Sequence, residues 1–531
     1  MSKYLYGAAV QGIQGFIFQT NKLREIVGAS ELVEEICTTL LARIIYEEPD
    51  LAYKQAKERL KEDPNAILFA AGNVKYIFDT KEQCERLVRV FPKAVSEFAP
   101  GVSVSQAVVQ FDGQSFKDAV NKLESHLRSQ RNKPMRSQTI GLMGVQRSRQ
   151  TGLPVVAQEE EGALDAATFA KLYECDKNGG APRKKTSWAL CQKAFLRDPN
   201  GETNIKEENI AFDIKNITEQ NDWIAIIHAD GNGLGQIVQK IGTDQDKFRE
   251  FSQKLDEATV SAAVDAFEEV IKKAGWDKFI PIRPIVLGGD DLTVVCRGDL
   301  ALDYVTHFIA SFEKNTKNLL SEYIEGIFTE GDITDSLTAC AGIAYIKSSY
   351  PFYYGYSLAE SLCSRAKKYA KDDDSIREGR KLPLSCIMFH KVQSSFVEEY
   401  DEIVGKELTP QDDISFEFGP YFIKDKKNES DWSVDDLNSK VKQLSNGKEG
   451  NAVKSHLRNW MSLLYDNRDM AGQKLKRLIS MTSMKDYVDD VTKGIKRGTK
   501  TIYPVYDILA IHTINTQKTK NKNTKDTKDN E

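Results

Sequence analysis

The runs WIAIIHADGNGLG at residues 223–235 and IVLGGDDLTVVC at residues 285–296 decide how the chain folds. Each begins as an apolar, β-branched stretch of strand length and breaks at glycine. In the second run, Gly288 and Gly289 permit the positive backbone angles of a tight hairpin turn. That turn lifts Asp290 and Asp291 from the sheet edge, where neighbouring carboxylates repel each other unless a cation lies between them. In the first run, Asp230 ends the strand, and Gly231, Asn232 and Gly233 lead into a helix from Leu234. A ferredoxin-like β-α-β-β-α-β sheet sets its first strand beside the central hairpin, so Asp230 is expected to face Asp290 and Asp291 from a strand about 5 Å away.

Three carboxylates with open positions suit octahedral magnesium or manganese, which keeps water ligands and takes others from a nucleotide triphosphate. The free N–H groups of the glycine-rich turn, at the start of a helix, suit the phosphates. Asp230, Asp290 and Asp291 are therefore the expected catalytic and metal-binding residues of a two-metal nucleotidyl-transfer site. Gly231, Asn232 and Gly233, with Gly288 and Gly289 of the hairpin, are the expected phosphate-binding positions.

Outward from these runs, hydrophobic period and Gly/Pro punctuation divide the chain into segments 1–136, 137–220, 221–397, 398–513 and 514–531. The third contains the two quoted runs, helices over 251–274, 301–322 and 357–371, and a strand over 337–345. The first reads as a similar β/α unit, with a strand over 4–10, helices over 32–46 and 51–61, and a hairpin joining 67–71 to 74–78. A helix from Lys81, a strand over 102–111 and a helix from Phe116 complete it. Aligning Gln11 with Asp230 and Gly72 with Asp290 gives separations of 61 and 60 positions, which suggests duplication. Gln11, Gly72 and Asn73 carry no carboxylate, so only one unit should hold metal. The second segment is polar and Gly- and Lys-rich, a bridging module with a helical piece over 163–173. The fourth has helical spacing at Val453, Leu457, Trp460, Leu463 and Leu464, and the fifth, in which residues 515–531 lack apolar side chains, is expected to be disordered. The fold class is thus mixed α/β.

The 531 residues include 73 Lys plus Arg against 78 Asp plus Glu, a formal net charge of -5. That balance excludes a histone-like general nucleic-acid binder. No run approaches the roughly 18 apolar residues of a membrane span, and the first residues lack a secretory layout, so a cytoplasmic protein is expected. Eight cysteines without a CxxC pair fit reduced core thiols. Cys175 and Cys191 lie near each other in polar text, but a tetrahedral zinc site needs two more ligands, so zinc is not expected.

The motifs HADGNGLG and LGGDD, the run LTACAGIAYIKSSYPFYYGYSLAESLCSRAKKYAK and the following SCIMFHKVQSSF resemble the catalytic palm of the large polymerase-like subunit of type III CRISPR effector complexes, the Cmr/Csm large-subunit family. GAAVQGIQGFIFQTNKLREIVGASELVEEI, near the start, resembles that family's first palm. A distant similarity to GGDEF diguanylate cyclases runs through the same hairpin. The resemblance implies two ferredoxin-like palms, a target-RNA-triggered synthesis of cyclic oligoadenylates from ATP, and partnership with other effector subunits, which would hold most of the guide and target RNA. It implies that Asp230 and Asp290 are metal ligands, with the Gly231 carbonyl as a further one. Asp291 would help bind metal or receive the proton of the attacking 3'-hydroxyl, and Lys367 would lie against the triphosphate.

Departures from the family shape further expectations. The chain starts at the first palm and has no His-Asp dipeptide, so no HD nuclease activity is expected. The two CxxC pairs common between the palms are missing. Rival readings are a nucleotidyl cyclase with another product, a cyclic dinucleotide or a mixed adenylate conjugate, and a catalytically silent scaffold.

Overall fold

The computed structural model describes residues 2–70, 72–111, 116–133, 144–174, 182–198, 204–218, 223–241, 244–331, 333–393, 399–445 and 447–526. Its architecture is mixed α/β, built on two principal sheets. The first contains β1 (Lys3–Gln11), β2 (Ala66–Ala70), β3 (Asn73–Phe78) and β4 (Ser103–Phe111), in the order β2-β3-β1-β4. The second contains β5 (Trp223–Gly231), β6 (Ile282–Gly288), β7 (Asp291–Arg297), β8 (Ala339–Lys347), β9 (Cys386–Lys391) and β10 (Tyr421–Phe422), in the order β6-β7-β5-β8-β9-β10. Its first four strands repeat the order of the first sheet, with a hairpin beside the initial strand in each case. Every pairing in both sheets is antiparallel except that of β8 with β9.

The helices that position the site are α1 (Ile13–Phe18), α2 (Leu23–Glu35), α3 (Tyr53–Glu62), α4 (Trp188–Phe195), α5 (Leu234–Ile241), α6 (Gln245–Ala274), α7 (Ala301–Ile324) and α8 (Phe352–Ala370). The strand β5 is buried on both faces, and its period of two sorts its side chains between two cores. Ala225, Ile227 and Ala229 join Phe267, Phe308 and Phe312 of α6 and α7. Ile224 and Ile226 join Leu358 and Leu362 of α8, together with Phe16, Phe18 and Ile26 of the N-terminal unit. Both cores therefore run through both halves of the chain. Gly342 in β8 lets α8 approach closely, since a Cβ there would lie 2.0 Å from the Ala359 carbonyl oxygen.

Several expectations are corrected. The ladder sets Asn73 two positions ahead of where the alignment implied, opposite Ala9, whereas Asp291 lies opposite Asp230. The left-handed glycines before the two helices, Gly12 (φ 68°) and Gly233 (φ 85°), agree with that register. Ala9, not Gln11, is the counterpart of Asp230, and the matched separations were fortuitous because the connections differ in length. The helix expected over 32–46 begins at Leu23 and passes through a π-helical turn at Ile36–Leu40. Segment 398–513 is mainly helical but also forms a small sheet of Ile414–Ser415, Ile495–Arg497 and Lys500–Ile502, since β-branched residues there flank a turn at Gly498. Two further helices of this region matter below, α9 (Gly447–Asp466) and α10 (Val505–Asp526). The latter carries helical backbone into the stretch expected to be disordered, with no Gly or Pro to interrupt it. Its last fully buried anchor is Ile514. Cys175, most of the polar run 176–186 and the end of the tail at 527–531 lie outside the described residues, as do residues 137–143 of the bridging segment.

Candidate functional site

Strand polarity brings Asp230, at the end of β5, and Asp291, at the start of β7, into direct register, with Asp290 one residue earlier in the turn. Carboxylate oxygens of Asp230, Asp290 and Asp291 all lie within 4.8 Å of one another, the only such group of three His, Cys, Asp or Glu side chains among the described residues. Gly289 (φ 63°) supplies the left-handed turn residue. The hairpin is tied to its surroundings from behind. Thr259 Oγ1 of α6 donates to the Gly289 carbonyl at 2.5 Å, and Lys193 Nζ of α4 donates to the Leu287 carbonyl at 2.9 Å. Lys193 also pairs with Asp256 of α6 at 3.0 Å.

Crowding shows in the acidities. Burial, then the charges of Asp291 and Asp230, pushes Asp290 up to about 8. Burial and Asp230 push Asp291 up to about 6, opposed by Lys367. Such a pair holds its protons more tightly than an exposed aspartate because burial and like charge both oppose ionisation. The nearest positive charge is Lys367 of α8, which forms an ion pair with Asp230 and donates to the Gly231 carbonyl at 3.0 Å. Burial works against its ammonium form, but Asp230 outweighs burial and holds its pKa above the usual lysine value. Lys367 thus stands in for a cation between the two oxygens that the resemblance assigned to metal. Hard carboxylate and carbonyl oxygens of this kind fit magnesium or manganese. The Asp230 side chain is 34% exposed, so the cluster opens to solvent.

The glycine-rich turn differs from expectation at Asn232. Its backbone N–H donates to the Thr338 carbonyl at 2.8 Å, and its Nδ2 reaches Thr338 Oγ1 at 3.2 Å and Cys340 Sγ at 3.4 Å. Asn232 is 1% exposed, so it anchors the turn to β8 and offers no donor to a phosphate. Gly233 caps α5, its carbonyl accepting from the N–H groups of Gln236 and Ile237. Gly288 pairs with Asp291 in the hairpin ladder. Cys191 accepts a hydrogen bond from the buried Arg283 at 2.8 Å.

Neighbours that the sequence reading did not single out complete the site. His228 shares the Asp230 face of β5, lies 3.3 Å from Thr293 Oγ1 through Nδ1, and is held by burial below the usual histidine pKa. Tyr356 and Glu360 lie on the face of α8 that carries Lys367, a spacing of whole helical turns that was available in the sequence. Gln14 of α1 donates to Glu360 at 2.7 Å and to the Tyr356 hydroxyl at 3.4 Å, and Phe18 stacks on Tyr356 at 3.7 Å. The N-terminal unit therefore reaches the rim of the site through Tyr356 and Glu360.

Residues 223–376 match the family model described as Cas10/Cmr2, second palm domain, and this segment is a palm of that family. No curated protein matches the chain. Among solved structures, the chain is similar to a Csm1–Csm4 cassette in complex with cA4, with a TM-score of 0.54, 13% identity, and coverage of 97% of this chain and 70% of that one. The cassette in complex with AMPPNP gives 0.53 and 14%, covering 96% and 69%. That in complex with pppApApA gives 0.54 and 14%, covering 97% and 69%. At these identities the likeness establishes the shared fold.

Proposed function

We propose that the chain is the cyclic-oligoadenylate-synthesising large subunit of a type III CRISPR effector complex, working in the cytoplasm. The observation that carries the reading is the convergence of Asp230, Asp290 and Asp291 with Lys367 at one end of a Cas10/Cmr2 second palm. The similar Csm1–Csm4 cassettes, solved with a cyclic adenylate, an ATP analogue and a linear adenylate, support ATP as the substrate and a Csm4-like subunit as a partner. Guide and target RNA would be held largely by other subunits.

Asp230, Asp290, Asp291 and the Gly231 carbonyl would hold magnesium or manganese. Bound there, the metal supplies charge neutralisation at the phosphates and a more acidic 3'-hydroxyl. Asp291 would help hold the metal or receive the proton of an attacking hydroxyl. Lys367 leaves Asp230 for the triphosphate and offsets charge that develops on the leaving pyrophosphate. Backbone groups of Gly231 and Gly233, with those of Gly288 and Gly289, line the phosphate path. Ala9, Gly72 and Asn73 stand where the carboxylates stand in the second sheet, so the first would bind and not catalyse.

The test is product formation from ATP and magnesium by the assembled complex with guide and matching target RNA. Asp290→Ala with Asp291→Ala should abolish oligoadenylate synthesis while the complex still assembles, because both side chains lie on a polar turn outside the cores. Synthesis at the unsubstituted rate by the double variant would reject the site.

A further inference from the structure

A second charged feature lies at the opposite end of the same sheet, about 23 Å along β5 from Asp230 by strand rise. There Trp223 begins β5, Lys347 ends β8 directly opposite it, and Lys391 ends β9 beside Lys347's strand. The ammonium groups of Lys347 and Lys391 both lie over the Trp223 ring, at 4.3 and 4.5 Å from its centroid. A cleft of about 460 Å³ opens next to them, between the end of β9 and helices α9 and α10. Lys391, Lys406 and Arg458 line it, and Glu407 is the single carboxylate among its lining residues.

Neither Lys391 nor Arg458 has a carboxylate within ion-pairing distance among the described residues. Arg458 spends one N–H group on Thr513 Oγ1 at 2.9 Å, leaving most of its donor fork open. The Glu407 carboxylate lies 3.9 Å from His390 Nε2, and Lys406 pairs with Glu402 at 3.5 Å. Burial, then Arg458 and Lys347, push the Lys391 ammonium down to about 8. Like charges gathered in a partly buried cleft are costly unless an anion joins them. Two tyrosines add flat surfaces. Tyr506 is held by Gln393 at 2.8 Å, and Tyr465, at the rim, is 41% exposed. Cations interleaved with tyrosine rings suit a phosphate that carries a base.

We propose that this cleft is a phosphate-binding site, separate from the acidic cluster, in which Lys391 and Arg458 hold a phosphate of single-stranded RNA or of a free nucleotide beside Tyr465. The experiment measures binding to the full chain without divalent metal, using anisotropy of a short labelled single-stranded RNA and, separately, titration with tripolyphosphate. Lys391→Met with Arg458→Gln should weaken binding about tenfold. For the RNA it should also flatten the dependence of log affinity on log salt by about 0.7, the share of one phosphate on a single strand that is no longer neutralised. Loss in the RNA arm alone identifies a strand as the ligand, and loss in both arms identifies the phosphate group itself. Arg458→Gln alone, at an exposed position that the fold tolerates, should show about half of the effect on the logarithmic scale. Unchanged affinity and salt slope in both arms would overturn the proposal. So would an equal loss on Lys476→Gln, an exposed lysine of the 468–481 helix, because the attraction would then be general.

Discussion

Asp290 and Asp291 hold protons that an exposed aspartate, with its usual value near 4, would release. A carboxyl whose native pKa is raised stabilises the fold fully below the unfolded value, and this contribution is lost as pH rises through the native one. The metal-free protein should therefore lose stability between about pH 4 and 8 from this pair. A divalent cation that accepts the ionised forms should restore it. Calorimetry should thus find a larger magnesium-induced rise in Tm at pH 8 than at pH 5.5, and almost none in Asp290→Asn with Asp291→Asn. Equal rises at both pH values would contradict the assignment. The doublet stood out in the sequence because it occurs together with Asp230 and its glycine-rich turn on successive strand elements, whereas alone it would read equally well as a solvated turn. Lys367 did not, since it sits beside Lys368 and Lys371 and only the family resemblance separated it from a solvated helix end. Asn232 misled because its short amide reads equally well as a loop donor and as a buried anchor, and only the neighbouring Thr338 decides.

At the scale of elements, the β6–β7 hairpin is aimed by contacts that arrive from elsewhere in the chain. Lys193 belongs to the segment read as a bridging module, yet it holds the carbonyl just before the turn and Asp256 as well. Burial would raise the Asp256 carboxyl, but Lys193, with Lys57 of α3, outweighs it and holds the group below its usual value. Removing the lysine leaves a buried carbonyl and an under-compensated carboxylate, a loss of about 1–3 kcal/mol. Lys193→Met should therefore lower Tm and cut the turnover of the complex about tenfold while leaving the KM for ATP within a factor of about two, and Lys193→Arg should recover most of the loss. Full turnover by a folded Lys193→Met protein would show that the hairpin needs no such support. The hairpin and its flanking strands were readable from Gly288 and Gly289 between apolar runs. Their fastening was not, because nothing local ties residue 193 to residue 287. Likewise α8 starts at Phe352, five residues earlier than expected, since Pro351 opens it and the exposed Tyr353 and Tyr354 blur the apolar period.

Across the whole molecule, two sheets of the same strand order carry different side chains at equivalent turns, carboxylates in one and none in the other. Ala9, Gly72 and Asn73 cannot replace Asp230, Asp290 and Asp291 as oxygen donors of equal charge. Asn73→Ala should accordingly leave synthesis within about threefold, with a shift in product lengths at most, whereas Asp230→Ala should eliminate it. Comparable loss in both variants, each folded, would refute the assignment of chemistry to one sheet. The repeated order was suggested by the sequence, yet its register was misread by two residues because spacing counts positions and cannot see which residues pair. The alternation along β5 has a practical consequence. Residues on one side of this strand pack with α6 and α7, and those on the other with α8 and the N-terminal helices, so the strand is shared property of both halves. A fragment cut to residues 223–376 would leave Phe352, Leu358 and their neighbours without the covering layer of Phe16, Phe18 and Ile26, and would lack β9 beside β8. Expressed alone, such a piece should aggregate or pair with itself. Splitting the chain for biochemistry therefore calls for co-expression of the N-terminal portion, not for a shorter boundary.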